Sequence, residues 1–353
     1  MRDRTTAFGP GRVNLIGEHT DYNGGLALPF AISEGVTVQA TRDQSGRVEV
    51  VARDLNAEDS FELAQPQRLR GWRGYARGAT AELQRAGARL SGARIEISGS
   101  VPRGSGLSSS AALEVALCLA LLGISDAPAL DRIELAQLCS RIENDWVGAR
   151  TGLLDQLASL CGEAGSALRI DFRSLEVSPV KLELGDYSLV TLDSGERHAN
   201  AGRRGGSPDG DEQPGYNQRR TECARACELL GVSSLRAATP EMAAALSEPL
   251  AARAHHVITE NERVEATVAA LSVGDLERVG ELLNASHASL RDFYEISTPA
   301  VEGTVARLRK AGAVGARIVG GGFGGHVLGL MAPGADAPAA AINVEPGRGA
   351  HLL

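Results

Sequence analysis

The sequence predicts a protein of mixed strands and helices, built as two lobes around one shared cleft. Three observations carry this expectation. The first third has the character of strands and turns, the stretch 216–308 is mostly helical in pattern, and no Pro/Gly-rich linker or fixed-period repeat cuts the chain between them. The 353 residues suffice for one large domain or two coupled ones with an ample core.

The elements follow in order. Val36-Thr37-Val38-Gln39-Ala40-Thr41 and Arg47-Val48-Glu49-Val50-Val51 are β-rich runs, and Asp43-Gln44-Ser45-Gly46 between them has the composition of a hairpin turn. Arg94-Ile95-Glu96-Ile97-Ser98 alternates polar and apolar side chains as a half-buried strand does. A Gly/Ser-rich loop then runs into a helix expected over 111–122, and helical character continues over 133–145. Asp171-Phe172 and Leu189-Val190-Thr191-Leu192 look like further strands. Residues 201–215 hold five glycines and two prolines among arginines and acids, the composition of a flexible surface loop. After the helical stretch, Arg317-Ile318-Val319 enters a glycine cluster at 320–325, an apolar strand follows over 326–331, and 332–341 is expected to be a loop plus a short helix.

Composition narrows the function classes. Hydrophobic residues make up 43% and charged residues 23%, an ordinary globular balance. The net charge of −8 argues against nucleic acid and against an anionic membrane surface as partners. A polyanionic nucleotide would have to be held locally, by backbone amides, a metal ion or a few placed cations. Cys118, Cys139, Cys161, Cys223 and Cys227 are odd in number and irregular in spacing, so they suggest no disulfide framework, and no C-x-x-C pair or metal-type spacing with histidine occurs. Reduced thiols in a cytoplasmic protein are expected. The charged start Met1-Arg2-Asp3-Arg4 leads into no long apolar region, so no signal peptide is expected. The run 111–122, broken by Glu114, is too short to span a bilayer.

Three segments carry chemistry. Gly11-Arg12-Val13-Asn14-Leu15-Ile16-Gly17-Glu18-His19-Thr20-Asp21-Tyr22-Asn23-Gly24-Gly25 is an apolar run that reaches a glycine and releases four polar residues in succession. Carboxylates accept from hydroxyls and histidine can donate or accept, so such a cluster can surround a hydroxyl-rich ligand; a solvated turn has the same composition. Pro102-Arg103-Gly104-Ser105-Gly106-Leu107-Ser108-Ser109-Ser110-Ala111 leads into an apolar helix. There, glycines let N–H groups converge, and the helix N-terminus adds donors and partial positive charge for a phosphate. The serines can cap the helix, or one hydroxyl can ligate a metal ion. The segment is no Walker A loop, because G-x-x-x-x-G-K-[ST] is absent. The third segment, Gly320-Gly321-Gly322-Phe323-Gly324-Gly325, marks close backbone approach, either as a wall of the same nucleotide site or packed behind the first loop.

In order and spacing these segments resemble the galactokinase branch of the GHMP small-molecule kinases. The first is similar to the signature G-R-x-N-L-I-G-E-H-x-D-Y, the second to the phosphate loop P-x-G-x-G-L-S-S-S-A, and the third to the C-terminal glycine motif. Gly152-Leu153-Leu154-Asp155-Gln156, Tyr216-Asn217-Gln218-Arg219-Arg220 and Arg291-Asp292-Phe293-Tyr294-Glu295-Ile296-Ser297 extend the resemblance over nearly the whole chain. It implies an α+β fold in two lobes, residues 1–185 and 186–353, with the active site in the cleft. It also implies a cytoplasmic enzyme, monomeric or weakly dimeric, whose partners are a small-molecule sugar and ATP with Mg²⁺. The reaction implied is transfer of the ATP γ-phosphoryl group to the anomeric hydroxyl of galactose.

The resemblance assigns roles residue by residue. Asp155 corresponds to the catalytic aspartate beside the sugar C1 hydroxyl. Arg12 corresponds to the arginine beside that carboxylate and the transferring phosphate, where a cation stabilises transition-state charge. Glu18, His19, Thr20 and Asp21 fall in the sugar-holding signature, Gly152 matches a sugar-contacting backbone position, and Tyr216 the tyrosine near the axial hydroxyl. Gly104, Ser105, Gly106, Leu107, Ser108, Ser109 and Ser110 would wrap the phosphates. Ser110 and Glu143 match two oxygen ligands of Mg²⁺, a donor set that suits the ion. Trp72 resembles a tryptophan near the adenine pocket, or is a plain core residue. Thr151 stands where many members carry cysteine, and the stretch from Asn200 to Tyr216 is longer and more polar than the family norm. Phosphoryl transfer rests on positioning and electrostatics, so no cysteine or serine nucleophile is required. A kinase for N-acetylgalactosamine or arabinose is the nearest alternative. A non-catalytic sugar and ATP sensor is the other, although known sensors have lost residues where Ser108-Ser109-Ser110-Ala111 is complete here.

Overall fold

β-branched residues alternate with polar ones through 36–41 and 47–51, and both runs fold as strands of one sheet. The computed structural model describes residues 2–101, 106–125, 127, 130–149, 151–196 and 214–353. Gly104, Ser105 and the stretch 201–213 therefore lie outside the described residues. In chain order the strands are β1 (Arg4–Asn14), β2 (Leu26–Ala27), β3 (Pro29–Asp43), β4 (Arg47–Ala52), β5 (Ala57–Glu62), β6 (Gly92–Gly99), β7 (Ser166–Asp171), β8 (Glu176–Lys181), β9 (Ser188–Asp193), β10 (Ala313–Ile318), β11 (His326–Met331), β12 (Ile342–Asn343) and β13 (His351–Leu352). The helices are α1 (Arg73–Arg85), α2 (Ser109–Gly123), α3 (Arg132–Arg141), α4 (Leu154–Cys161), α5 (Pro214–Leu230), α6 (Pro240–Ala244), α7 (Leu250–Ser272), α8 (Leu276–Asp292) and α9 (Pro299–Lys310).

The first sheet has the order β13-β1-β3-β6-β4-β5, antiparallel except for the parallel pair β4–β6. This corrects one expectation. The turn at 43–46 is present, but β3 and β4 are not neighbours, because β6 lies between them. Gly92 at the start of β6 makes this possible: a Cβ there would meet the Asp43 carbonyl oxygen at 2.7 Å and that of Arg47 at 2.9 Å. No other residue could enter the gap at the turn without moving one strand.

Val38, Val48, Val50 and Ile95 of this sheet share one core with α2, α3 and α4. α2 is apolar on nearly every face and is buried accordingly. α3 starts with a capping box between Asp131 and Glu134. The helical run expected to end near 145 then passes into a π-helical segment, Ile142–Val147. Such wider turns recur at functional sites.

A second antiparallel sheet, β10-β11-β9-β12, packs against α8 and α9, and a third joins β2, β7 and β8. The helical stretch expected over 216–308 is α5 to α9. Residues 332–341 contain turns but no helix; Pro333 and Pro338 each lack the N–H a helix needs. At the end of the chain, β13 returns to the first sheet, with Phe8 opposite His351. No helix among the described residues is long and apolar enough to cross a membrane.

Candidate active site

Arg12 sits near the end of β1 and is only 6% exposed. Its Nε donates to Asp155 Oδ1 at 2.8 Å, and its Nη2 lies 2.7 Å from the same oxygen. Asp155 stands in the first turn of α4, where the helix dipole favours an anion. Its other oxygen accepts from the Ser108 hydroxyl. Ser108 precedes α2 with φ 58°, a left-handed conformation costly for a non-glycine residue and concentrated at functional sites. Its hydroxyl thus goes to Asp155 rather than capping the helix. The Gly106 carbonyl accepts from Arg12 Nη1, and the Arg12 backbone N–H donates to the Leu107 carbonyl at 3.1 Å. The described part of the Gly/Ser loop is therefore bound directly to the Arg12–Asp155 pair.

The polar turn lies beside this pair. Glu18 Oε1 accepts from the Gly320 N–H at 2.8 Å, which joins the third glycine segment to the first. His19 is 4% exposed and has φ 61°, and its Nδ1 lies 2.8 Å from the Tyr22 hydroxyl. Burial pulls its pKa down to about 3, with His256 and Arg219 adding to the shift, so the ring is neutral at physiological pH. Thr20 is fully buried, and its hydroxyl faces the carbonyls of Gly17 at 2.9 Å and Leu26 at 2.7 Å, which closes the turn. Burial raises the pKa of Asp21 to about 6; the Tyr22 backbone and Arg220 oppose the shift, and the Asp155 and Glu18 carboxylates add to it. Gly152 packs against that side chain, since a Cβ on Gly152 would fall 1.6 Å from Asp21 Oδ2. Tyr216, on α5, brings its ring to 5.3 Å from that of His19.

A set of residues that the sequence reading did not single out pins this turn from the other half of the chain. Glu260 Oε1 on α7 accepts from the Gly17 N–H at 3.0 Å, and Asn261 Oδ1 accepts from the Leu26 N–H at 2.7 Å. His256 Nε2 donates to the Glu18 carbonyl at 3.2 Å. Arg317, fully buried on β10, donates to the Asn14 carbonyl at 2.8 Å and reaches Glu18 Oε1 at 3.4 Å. A signal existed: Arg253, His256, Glu260 and Thr267 recur at helical spacing on the buried face of α7, where apolar residues are the norm.

Glu143 occupies the π-helical segment and is buried. Its Oε2 accepts from Thr151 Oγ1 at 2.7 Å and Gln156 Nε2 at 2.8 Å, and Ser110 also bonds the carboxylate. Burial, then the nearby Asp155 carboxylate, push its pKa up. Gln156 also reaches the fully buried Glu114 at 3.1 Å, a further carboxylate the sequence reading left in the helix interior. Thr151 thus has a use the sequence did not disclose: it holds Glu143. Among the described residues no group of three or more His, Cys, Asp or Glu side chains forms a metal cage. The Ser110 hydroxyl and Glu143 carboxylate are instead the sparse oxygen set that suits Mg²⁺, which keeps waters and takes phosphate oxygens. Trp72 is half-buried before α1, packs on the first core and has the Arg73 guanidinium 5.0 Å from its ring centroid.

Comparison with known proteins places this geometry. Residues 2–42 match the galactokinase galactose-binding signature, 74–163 the GHMP kinases N terminal domain and 267–345 the GHMP kinases C terminal domain. A galactokinase from Mycobacterium tuberculosis is 44% identical over 337 residues, covering 93% of this chain and 89% of the relative. One from Thermotoga petrophila is 40% identical over 327 residues, covering 92% and 89%. The crystal structure of Lactococcus lactis galactokinase complexed with galactose superposes with a TM-score of 0.88 at 32% identity, covering 100% of this chain and 96% of that one. Methanococcus jannaschii mevalonate kinase shares the fold, with a TM-score of 0.67 at 19% identity over 98% of both chains. An α+β chain with these matched segments and this degree of identity belongs to the galactokinase family of the GHMP kinases.

Proposed function

We propose that this enzyme transfers the γ-phosphoryl group of ATP to the anomeric hydroxyl of galactose, giving galactose 1-phosphate. The observation that carries the reading is the joint of Arg12, Asp155 and Ser108 at the foot of the Gly/Ser loop, beside a turn that offers Glu18, His19 and Asp21. Asp155 orients the sugar hydroxyl and accepts its proton. Arg12 fixes that carboxylate and balances charge on the transferring group. Phosphoryl transfer asks mainly for such positioning and electrostatic balance.

Glu18, His19, Asp21 and Tyr216 bind the sugar, with Gly152 leaving room for Asp21. Thr20 serves them by closing the turn. Residues 104–110 surround the phosphates. Ser110 and Glu143 would hold Mg²⁺, which when bound neutralises phosphate charge. Residues 1–185 and 186–353 form the two lobes, and the chain works in the cytoplasm as a monomer or weak homodimer.

A coupled ADP-release assay on galactose, N-acetylgalactosamine and arabinose tests this, with phosphorus NMR locating the phosphate. Galactose-dependent ADP with phosphate on C1 is expected. A preference for either other sugar replaces the substrate assignment. No sugar-dependent ADP, with galactose still bound, marks a sensor instead.

A further inference from the structure

Glu114 breaks the apolar run of α2 and is nevertheless fully buried. Its Oε1 has no hydrogen-bond partner among the described residues, and its Oε2 accepts from Gln156 Nε2 at 3.1 Å. An apolar side chain at this position would avoid the cost of burying a carboxyl group. The use of Glu114 therefore lies in its bond to Gln156.

Gln156 is also fully buried, in the first turn of α4. Its Nε2 donates to Glu114 Oε2 at 3.1 Å and to Glu143 Oε2 at 2.8 Å. An amide nitrogen carries two hydrogens, one for each carboxyl group. Turned over, the amide would set its carbonyl oxygen against both acceptors, so the pair of them fixes which way it faces. Gln156 Oε1 has no partner among the described residues, so no donor there competes for the orientation. Ser110 lies one turn before Glu114 on the same face of α2. That face thus meets the Glu143 carboxylate twice, directly through Ser110 and indirectly through Glu114 and Gln156.

We infer that Glu114 and Gln156 are positioning residues: Glu114 holds the Gln156 amide with its NH₂ toward Glu143, and Gln156 anchors Glu143 by Oε2 so that the carboxylate is held out to a divalent cation beside Ser110. This deepens the proposed function and rests on it for the cation site. It does not depend on the identity of the sugar.

The test is calorimetry of the full chain with the non-hydrolysable ATP analogue AMP-PNP, in excess Mg²⁺ and again in EDTA. The ratio of the two affinities reads how well the protein holds the metal, whereas a purely structural defect lowers both affinities together. The parent should bind more tightly with Mg²⁺. Gln156→Met should lower the ratio about tenfold or more, the scale for a lost partner of a metal-binding carboxylate. Glu114→Met should lower it about three- to tenfold, the scale of one hydrogen bond, with the affinity in EDTA within about twofold of the parent. Its melting temperature should be unchanged or higher, because an apolar side chain replaces a buried carboxyl group. Glu114→Gln keeps an oxygen facing Gln156 and should stay within about twofold of the parent ratio. Adding Glu114→Met to Gln156→Met should lower the ratio no further, because both act along one path. Glu114→Leu carries the same readout if Glu114→Met does not fold. A parent-like ratio in Glu114→Met, an equal loss in Glu114→Gln, or a further loss in the double variant overturns the path. Equal losses with Mg²⁺ and EDTA in Glu114→Met make the residue structural only, which also overturns it. No gain from Mg²⁺ in the parent removes the cation site and the inference with it, whereas a gain that every variant retains removes the inference alone.

Discussion

Arg12 meets Asp155 through two nitrogens on one oxygen, Nε at 2.8 Å and Nη2 at 2.7 Å, and leaves the second carboxylate oxygen to Ser108. The guanidinium and the Ser108 hydroxyl therefore fix the position of the carboxylate between them. Replacing Asp155 by Asn keeps the shape and removes the proton acceptor, so kcat should fall by at least about 10² with galactose binding retained. Arg12→Ala should likewise act on kcat, by about 10² to 10³, since its charge acts on the transferring group. Steady-state kinetics with calorimetric sugar binding check both; an Arg12→Ala variant altered only in KM would remove Arg12 from the chemistry.

Gly152 predicts a different signature. A Cβ at that position would stand 1.6 Å from Asp21 Oδ2, so Gly152→Ala must push the carboxylate aside. Overpacking of this kind costs about 1–3 kcal/mol, and at a binding residue that becomes a KM increase of roughly tenfold or more. Galactose KM and the melting temperature, measured together, separate displacement of Asp21 from general unfolding. An unchanged KM in a folded variant would show that Asp21 does not hold the sugar.

Much of this was legible in the sequence, for physical reasons that also mark the limit. Arg12, Asp155 and Glu143 belong to short segments whose residue types the chemistry restricts, and the apolar run of α2 and the alternation of β6 are local signals. The hairpin at 43–46 failed because local composition specifies a turn but not which strand fills the space beside it; Gly92, 46 positions beyond the turn's end by sequence order, decides that. The pins on the sugar-side turn were harder still. Glu260 reaches Gly17 across a separation of 243 residues, and Arg317 reaches Asn14 across 303, so only the fold brings them together.

The pH dependence of sugar binding should report Asp21. Burial places its pKa at about 6, while His19 lies at about 3 and His256 at about 4. The carboxylate is ionised above about 6 and becomes protonated as the pH falls through that value, losing acceptor strength toward sugar hydroxyls. KM for galactose should therefore rise below pH 6. Asp21→Asn should flatten that limb, and His19→Gln should leave its midpoint in place. A midpoint that vanished with His19→Gln would assign the titration to the ring instead.

Glu260 couples the turn to stability. It is fully buried, and burial alone would push its pKa up, but Arg263, His256, Arg317 and the Ser286 hydroxyl bring it down to about 2. A depressed carboxylate pKa contributes stability that is present above the unfolded value of 4.5 and is lost as the pH falls through about 2. The separation corresponds to about 3 kcal/mol at neutral pH, on the scale of 1.36 kcal/mol per pKa unit. Glu260→Gln should accordingly destabilise the protein by about 2–4 kcal/mol at pH 7, because it leaves Arg263 and the Gly17 N–H with a weaker acceptor. The deficit relative to the parent should shrink to about half or less at pH 3, where the parent carboxylate is already giving up its advantage. Urea unfolding at the two pH values measures both differences. A deficit that stayed constant with pH would mean that Glu260 acts through shape and packing, and that its charge has no part in holding the turn that presents Glu18 and His19.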